Sequence, residues 1–192
     1  MLSDDLWQSS RLTAERCLSH PFVLGIASGE LPREAFQHYV AQDAFFLDAF
    51  ARAYALCASR APDAEAERVF EELRTAVEDE LQLHHSYAER WGVDLAVEPA
   101  AATRAYTEFL LDVASREPVG HVAAAMAPCM RLYAWLGQEL VHVAQEASAY
   151  KEWVDTYGSP EFEAHAAKLE ALLSALPIAE TVARAHYAKA MD

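Results

Sequence analysis

Between Pro32 and Pro62 the chain contains neither glycine nor proline, and this uninterrupted run constrains the fold more than any other feature. Proline is tolerated as the first residue of a helix, because the N–H it lacks would be unbonded there anyway. Leu31 to Ser59 therefore reads as one helix opening at Pro32. If it is continuous, the rod is roughly 42 Å long at about 1.5 Å per residue. Phe36, Tyr39, Phe46, Leu47, Phe50 and Tyr54 share one face by helical spacing. Asp43 lies at the centre of that face, seven residues from both Phe36 and Phe50. A lone carboxylate among aromatic rings is costly to bury unless something pairs with it. Asp43 thus has a partner inside the fold, such as a buried Tyr or Arg from another helix, or it faces a ligand.

The rest of the chain is punctuated in the same way. Ser3 is placed to cap a helix running to about Leu18, with Asp4 and Asp5 in its first turn. His20-Pro21 breaks it, and a short apolar piece, Phe22 to Ala27, leads to the turn Ser28-Gly29. Ala64 to Trp91 is a second long helix, ended by Gly92. Pro99 opens a helix through about Arg116, and Val119 to about Glu146 forms the most apolar one, interrupted by Pro128. Tyr150 to Tyr157, Pro160 to Leu176 and a last helix from Pro177 complete the series. No alternating strand pattern, repeat or linker is present. About eight helices with short connections predict a single all-α bundle over residues 1–192, its last helix unfinished at Asp192.

A net charge of −15 speaks against a nucleic-acid surface, which needs a basic patch, and against docking on an acidic membrane. The longest apolar stretch, Pro118 to Met130, is too short to span a bilayer. The three cysteines, Cys17, Cys57 and Cys129, are odd in number and form no CxxC pair, so reduced thiols in a cytoplasm are expected. The acidic N-terminus has no apolar signal core.

Three groups offer chemistry. Cys129 follows Pro128 inside an apolar helix and shares a side with Tyr133, four residues on. It is either a small buried hydrophobe or a nucleophile beside a pocket. Tyr39, Tyr54, Tyr106, Tyr133 and Tyr157 carry hydroxyls that need partners if buried. Tyr150, Trp153 and Tyr157 line one side of a short helix. Several hydroxyls near one acid would make a polar lining inside an apolar shell, as in a small-molecule pocket. Glu80 and His84, four apart, are a possible metal fragment, but a complete site needs ligands from facing helices.

Four blocks carry a resemblance: HPFVLGIASGELPREAFQHYVAQD at His20 to Asp43, AYTEFLL at Ala105 to Leu111, APCMRLYAWLG at Ala127 to Gly137, and YKEWVDTYGSPEF at Tyr150 to Phe162. In this order and at these intervals they resemble the TenA family, also called thiaminase II or aminopyrimidine aminohydrolase, over nearly the whole chain. The resemblance implies the all-α haem-oxygenase-like fold, a homotetramer and no metal or organic cofactor. It implies hydrolysis of thiamin, or of the aminomethylpyrimidine formed from it, to hydroxymethylpyrimidine. The family's pocket acid matches Asp43 and its nucleophilic cysteine Cys129. Its pocket aromatics match Phe46, Tyr106, Tyr133 and Tyr157, with phenylalanine at 46 where many relatives have tyrosine. The family's further catalytic glutamate, on its last helix, falls beyond Asp192, and Glu180 is too early to take its role. Two other readings stand beside this one. The first is a non-catalytic pyrimidine-binding or regulatory protein on the same fold. The second is a di-iron oxidase with Glu80 and His84 as partial ligands.

Overall fold

A computed structural model describes residues 1–192, and all of its regular structure is helical. The helices are α1 (Leu2–Ser9), α2 (Arg11–Leu18), α3 (Pro21–Ser28), α4 (Arg33–Ala58), α5 (Ala64–Trp91), α6 (Ala101–Arg116), α7 (Val119–Val141), α8 (Lys151–Tyr157), α9 (Pro160–Ala175) and α10 (Glu180–Met191). No helix is long and apolar enough to cross a membrane. The residues fall into two compact units, one formed by Met1–Pro32 with Ala123–Asp192 and the other by Arg33–Val122.

In the Arg33–Val122 unit, α4 packs against α5 and α6. Phe36, Val40, Leu47, Phe50 and Tyr54 are buried along α4, and Val69, Leu73 and Val77 along α5. Each such side chain contributes about 1.5–3 kcal/mol when fully removed from water. Local signals set both ends of α5. The Asp63 carboxylate accepts from the Ala66 N–H at 2.8 Å, and Gly92 closes the helix at φ +67°. Other ends are satisfied from α4 or the residues just after it. Gln37 and Arg33 donate to the Trp91 carbonyl at 2.7 and 2.8 Å. Gln42 Oε1 accepts from the Ala100 N–H and the Thr103 hydroxyl at the start of α6. Arg60 donates to the carbonyls of Ala114 and Glu117 at the end of α6. These contacts supply partners for backbone groups that a helix cannot satisfy within itself.

In the other unit, α7 is buried without a break from Ala123 to Ala127. The expected interruption at Pro128 does not occur, and α7 runs through it to Val141. Burial of the flanking residues offsets the local cost of an interior proline, about 3 kcal/mol. Small residues permit close approach farther along. A Cβ on Gly137 would overlap the backbone of Tyr157 and Gly158 at the end of α8. Arg131 ties α7 to α9. It makes paired hydrogen bonds to Glu170 at 2.9 and 2.6 Å, and its Nη1 reaches both oxygens of Glu163 at 2.9 and 2.7 Å. The segment after α7 is fastened to α3 through Gln145 N–H to the Ala27 carbonyl and the Ser148 hydroxyl to the Ile26 carbonyl, both at 3.0 Å.

Most differences from the sequence expectation lie at helix ends. The first helix is split at Ser10 into α1 and α2. Ser3 is not its cap but a buried residue inside α1, its hydroxyl 3.2 Å from that of Ser174. Phe22 to Ala27 belongs to a true helix, α3, because Pro21 occupies the first turn and His20 Nδ1 accepts from the Phe22 N–H. These two changes bring about eight helices to ten. The helices expected from Pro99 and Pro177 begin later, at Ala101 and Glu180.

Candidate functional site

Asp43 is 8% exposed, and its partner is a histidine. His84 Nε2 from α5 lies 2.7 Å from Asp43 Oδ2, and Tyr39, one turn earlier on α4, donates its hydroxyl to the same oxygen at 3.2 Å. The other ring nitrogen, Nδ1, is 3.0 Å from the carbonyl of Glu80. Burial disfavours a charged imidazole, but the Asp43 carboxylate and, more weakly, Glu80 outweigh it and raise the His84 pKa above its ordinary value. Rings enclose the pair. Phe36 lies against Tyr39 and Tyr87, and His84 against Tyr39 and Tyr87, with centroids 5.8–6.4 Å apart.

One turn beyond Asp43, Phe46 stacks on Phe50 at 4.5 Å and meets Tyr106 of α6 at 5.1 Å. The structure thus groups three of the expected residues, Asp43, Phe46 and Tyr106, within the Arg33–Val122 unit. The other three, Cys129, Tyr133 and Tyr157, lie in the second unit. There Tyr133 and Tyr157 meet at 4.7 Å, and Trp153 lies 4.7 Å from Tyr157 and 5.9 Å from Tyr133. Cys129 is half-buried one turn before Tyr133 on α7, and none of the three cysteines is in a disulfide. Cys57 is a packing residue, and burial pushes its thiol pKa up to about 12. Burial also raises that of Cys17.

The sequence reading anticipated a Tyr or Arg as the cross-helix partner of Asp43 and missed His84 in that role. One signal was available. His84 continues the buried stripe Val69, Leu73, Val77 on α5, while its neighbour His85 is exposed. A histidine on an apolar stripe needs an acceptor inside the fold. Asp43, Glu80 and His84 offer donor atoms within 4.8 Å of one another. In this arrangement His84 Nε2 faces Asp43 Oδ2 as an ion pair at 2.7 Å.

The all-helical frame is the haem-oxygenase-like one, shared with solved structures of TenA homologues. A TenA homologue from Pyrococcus furiosus superposes with a TM-score of 0.93 at 23% identity, covering 100% of this chain and 95% of that one. The chain belongs to the TENA/THI-4/PQQC family, whose model matches residues 7–187. It is 37% identical to the mitochondrial bifunctional TH2 protein of Arabidopsis thaliana, over 84% of this chain and 30% of the plant protein. It therefore spans less than a third of that relative. It is 35% identical to the aminopyrimidine aminohydrolase of Halalkalibacterium halodurans, over 82% of this chain and 74% of that enzyme.

Proposed function

We propose that this chain is a thiamin-pathway hydrolase acting on the 4-amino-2-methylpyrimidine group. Aminomethylpyrimidine and water give hydroxymethylpyrimidine and ammonia, and thiamin and water give hydroxymethylpyrimidine and the thiazole. The observation that carries the reading is Asp43, a buried carboxylate anchored through Oδ2 and followed by the Phe46–Tyr106 ring pair. An aminopyrimidine edge presents an amine donor beside a ring nitrogen, and a carboxylate complements that edge in a water-poor setting when the ring nitrogen is protonated. Flat rings stack on the heterocycle. In this reading Phe46, Tyr106, Tyr133 and Tyr157 are the substrate-binding aromatics.

Cys129 supplies the nucleophile. Its thiolate forms a C–S bond to the electron-poor pyrimidine, and the ring gains the electron pair. That pair expels the group on the exocyclic methylene, which leaves as the amine once a general acid protonates it. Water then adds to the methylene carbon and gives a proton back to the general acid, and the electron pair returned to the ring breaks the C–S bond and releases the thiolate. The reaction uses no metal or organic cofactor. Residues 1–192 act as one TenA-like domain, a reading supported by the family model's run from 7 to 187. Three cysteines outside any disulfide favour a cytoplasmic protein. The family resemblance favours a homotetramer, which light scattering on the purified protein would reveal.

The decisive assay is release of ammonia from aminomethylpyrimidine. Wild-type protein is expected to release it. Cys129→Ser should abolish release while pyrimidine affinity stays within a few-fold. Turnover undiminished in that variant would remove the thiol from the mechanism. Pyrimidine binding without ammonia from the wild type would mark a binding protein instead.

A further inference from the structure

Both contacts to the Asp43 carboxylate fall on one oxygen. Tyr39 approaches Oδ2 at 3.2 Å and His84 approaches the same oxygen at 2.7 Å. His84 is held from its far side as well, by the Glu80 carbonyl one turn earlier on α5. A carbonyl oxygen and an ionised carboxylate are both acceptors only. The Glu80 carbonyl calls for an N–H on Nδ1, and a bare Nε2 lone pair 2.7 Å from a carboxylate oxygen would be repelled by it, so the contact is an ion pair off the hydrogen-bond line and the ring that suits both neighbours is the imidazolium. The titratable groups that face the ring are Asp43 and Tyr39 from α4, and Glu80 and Tyr87 from its own helix. None of these is a cation, so none opposes the positive charge.

We propose that His84 is the positioning residue for Asp43: its cation pins Oδ2 and leaves Oδ1 to meet the ligand. The proposal rests on the reading of Asp43 as the acceptor for an aminopyrimidine edge, and it adds a selection rule. An ionised carboxylate accepts hydrogen bonds and donates none. The ligand edge it takes must donate, through an exocyclic amine and through a ring nitrogen only when that nitrogen is protonated. A heterocycle that presents only acceptors at this edge is rejected, because two facing acceptors leave both desolvated and unpaired.

The test uses the full chain and three variants, His84→Gln, Asp43→Asn and the double. Circular dichroism establishes that each is folded. Nitrogen-15 NMR of histidine-labelled protein reads the ring directly. At about pH 7.5, above the ordinary histidine value, His84 should carry protons on both nitrogens in the wild type and lose one in Asp43→Asn. His84→Gln keeps a donor within reach of Oδ2 but removes the charge. It should raise KM for aminomethylpyrimidine by at least about tenfold with a smaller fall in kcat. In the Asp43→Asn background the same change should add less than about twofold, since it acts through a carboxylate that is no longer there. A neutral His84 ring in the wild type would overturn the proposal, and so would full additivity of the two substitutions. The NMR readout needs no turnover, so it decides the role of His84 even if the hydrolase reading fails.

Discussion

At the scale of single residues the proposed function turns on Asp43 and on His84 beside it. Asp43→Ala removes the acceptor and leaves the buried His84 imidazole without its partner. Aminopyrimidine affinity should fall together with rate, and stability should drop by about 3 kcal/mol. Isothermal titration and urea denaturation measure the two effects, and unchanged affinity would contradict recognition by this carboxylate. The pair also ties stability to pH. The folded-state pKa of His84 is raised above its ordinary 6.5. Its contribution is therefore complete below that ordinary value and is lost as pH rises through the folded value. Urea denaturation from about pH 6 upwards should show a decline in unfolding free energy that His84→Gln lacks. The position of Asp43 on a buried stripe was legible from spacing alone. The identity of its partner was not, because Asp43 and His84 sit on different helices and nothing local links them.

At the scale of elements, α4 and α5 were legible almost to the residue, and α1, α2 and α7 were not. Proline, Asp63 and Gly92 mark the boundaries of the long helices with short-range chemistry. The break at Ser10 has no such mark. Neither does the passage of α7 through Pro128, where burial on the flanking residues outweighs a local rule. Gly137 is the sharpest case of an element-level constraint. It is conformationally ordinary, but α7 meets the backbone at Tyr157 and Gly158 there with no room for a methyl group. Gly137→Ala should push α8 away and destabilise the protein by about 1–3 kcal/mol, the usual range for overpacking. It should also disturb Tyr157 and its contact with Tyr133. A thermal melt and the KM for the pyrimidine measure these effects together, and wild-type values for both would show that the close approach is not required.

At the scale of the whole molecule, composition correctly bounded the class. A chain with 53% hydrophobic residues and no strand pattern buries its apolar faces helix on helix. Cys57 reports on the integrity of that packing. It is fully buried, and its thiol is held at a pKa of about 12. A thiol reagent at neutral pH should leave Cys57 unmodified in the native protein and modify it only on opening of the Arg33–Val122 unit. Mass spectrometry of pulse-labelled protein across a urea series should place its modification on the unfolding transition. Rapid labelling under native conditions would mean that α4 opens locally.

The sequence by itself determined that this is a helical protein, where its two longest rods lie, and which acid and which thiol deserve scrutiny. Those properties follow from hydrogen bonds, caps and side-chain spacing that act over a few residues. Only the tertiary structure decided that Asp43 pairs with His84, that Arg131 holds Glu163 and Glu170, and that Gly137 rests against Tyr157. Each of these joins groups many residues apart, and their energies depend on burial and on distances that only the packed helices define.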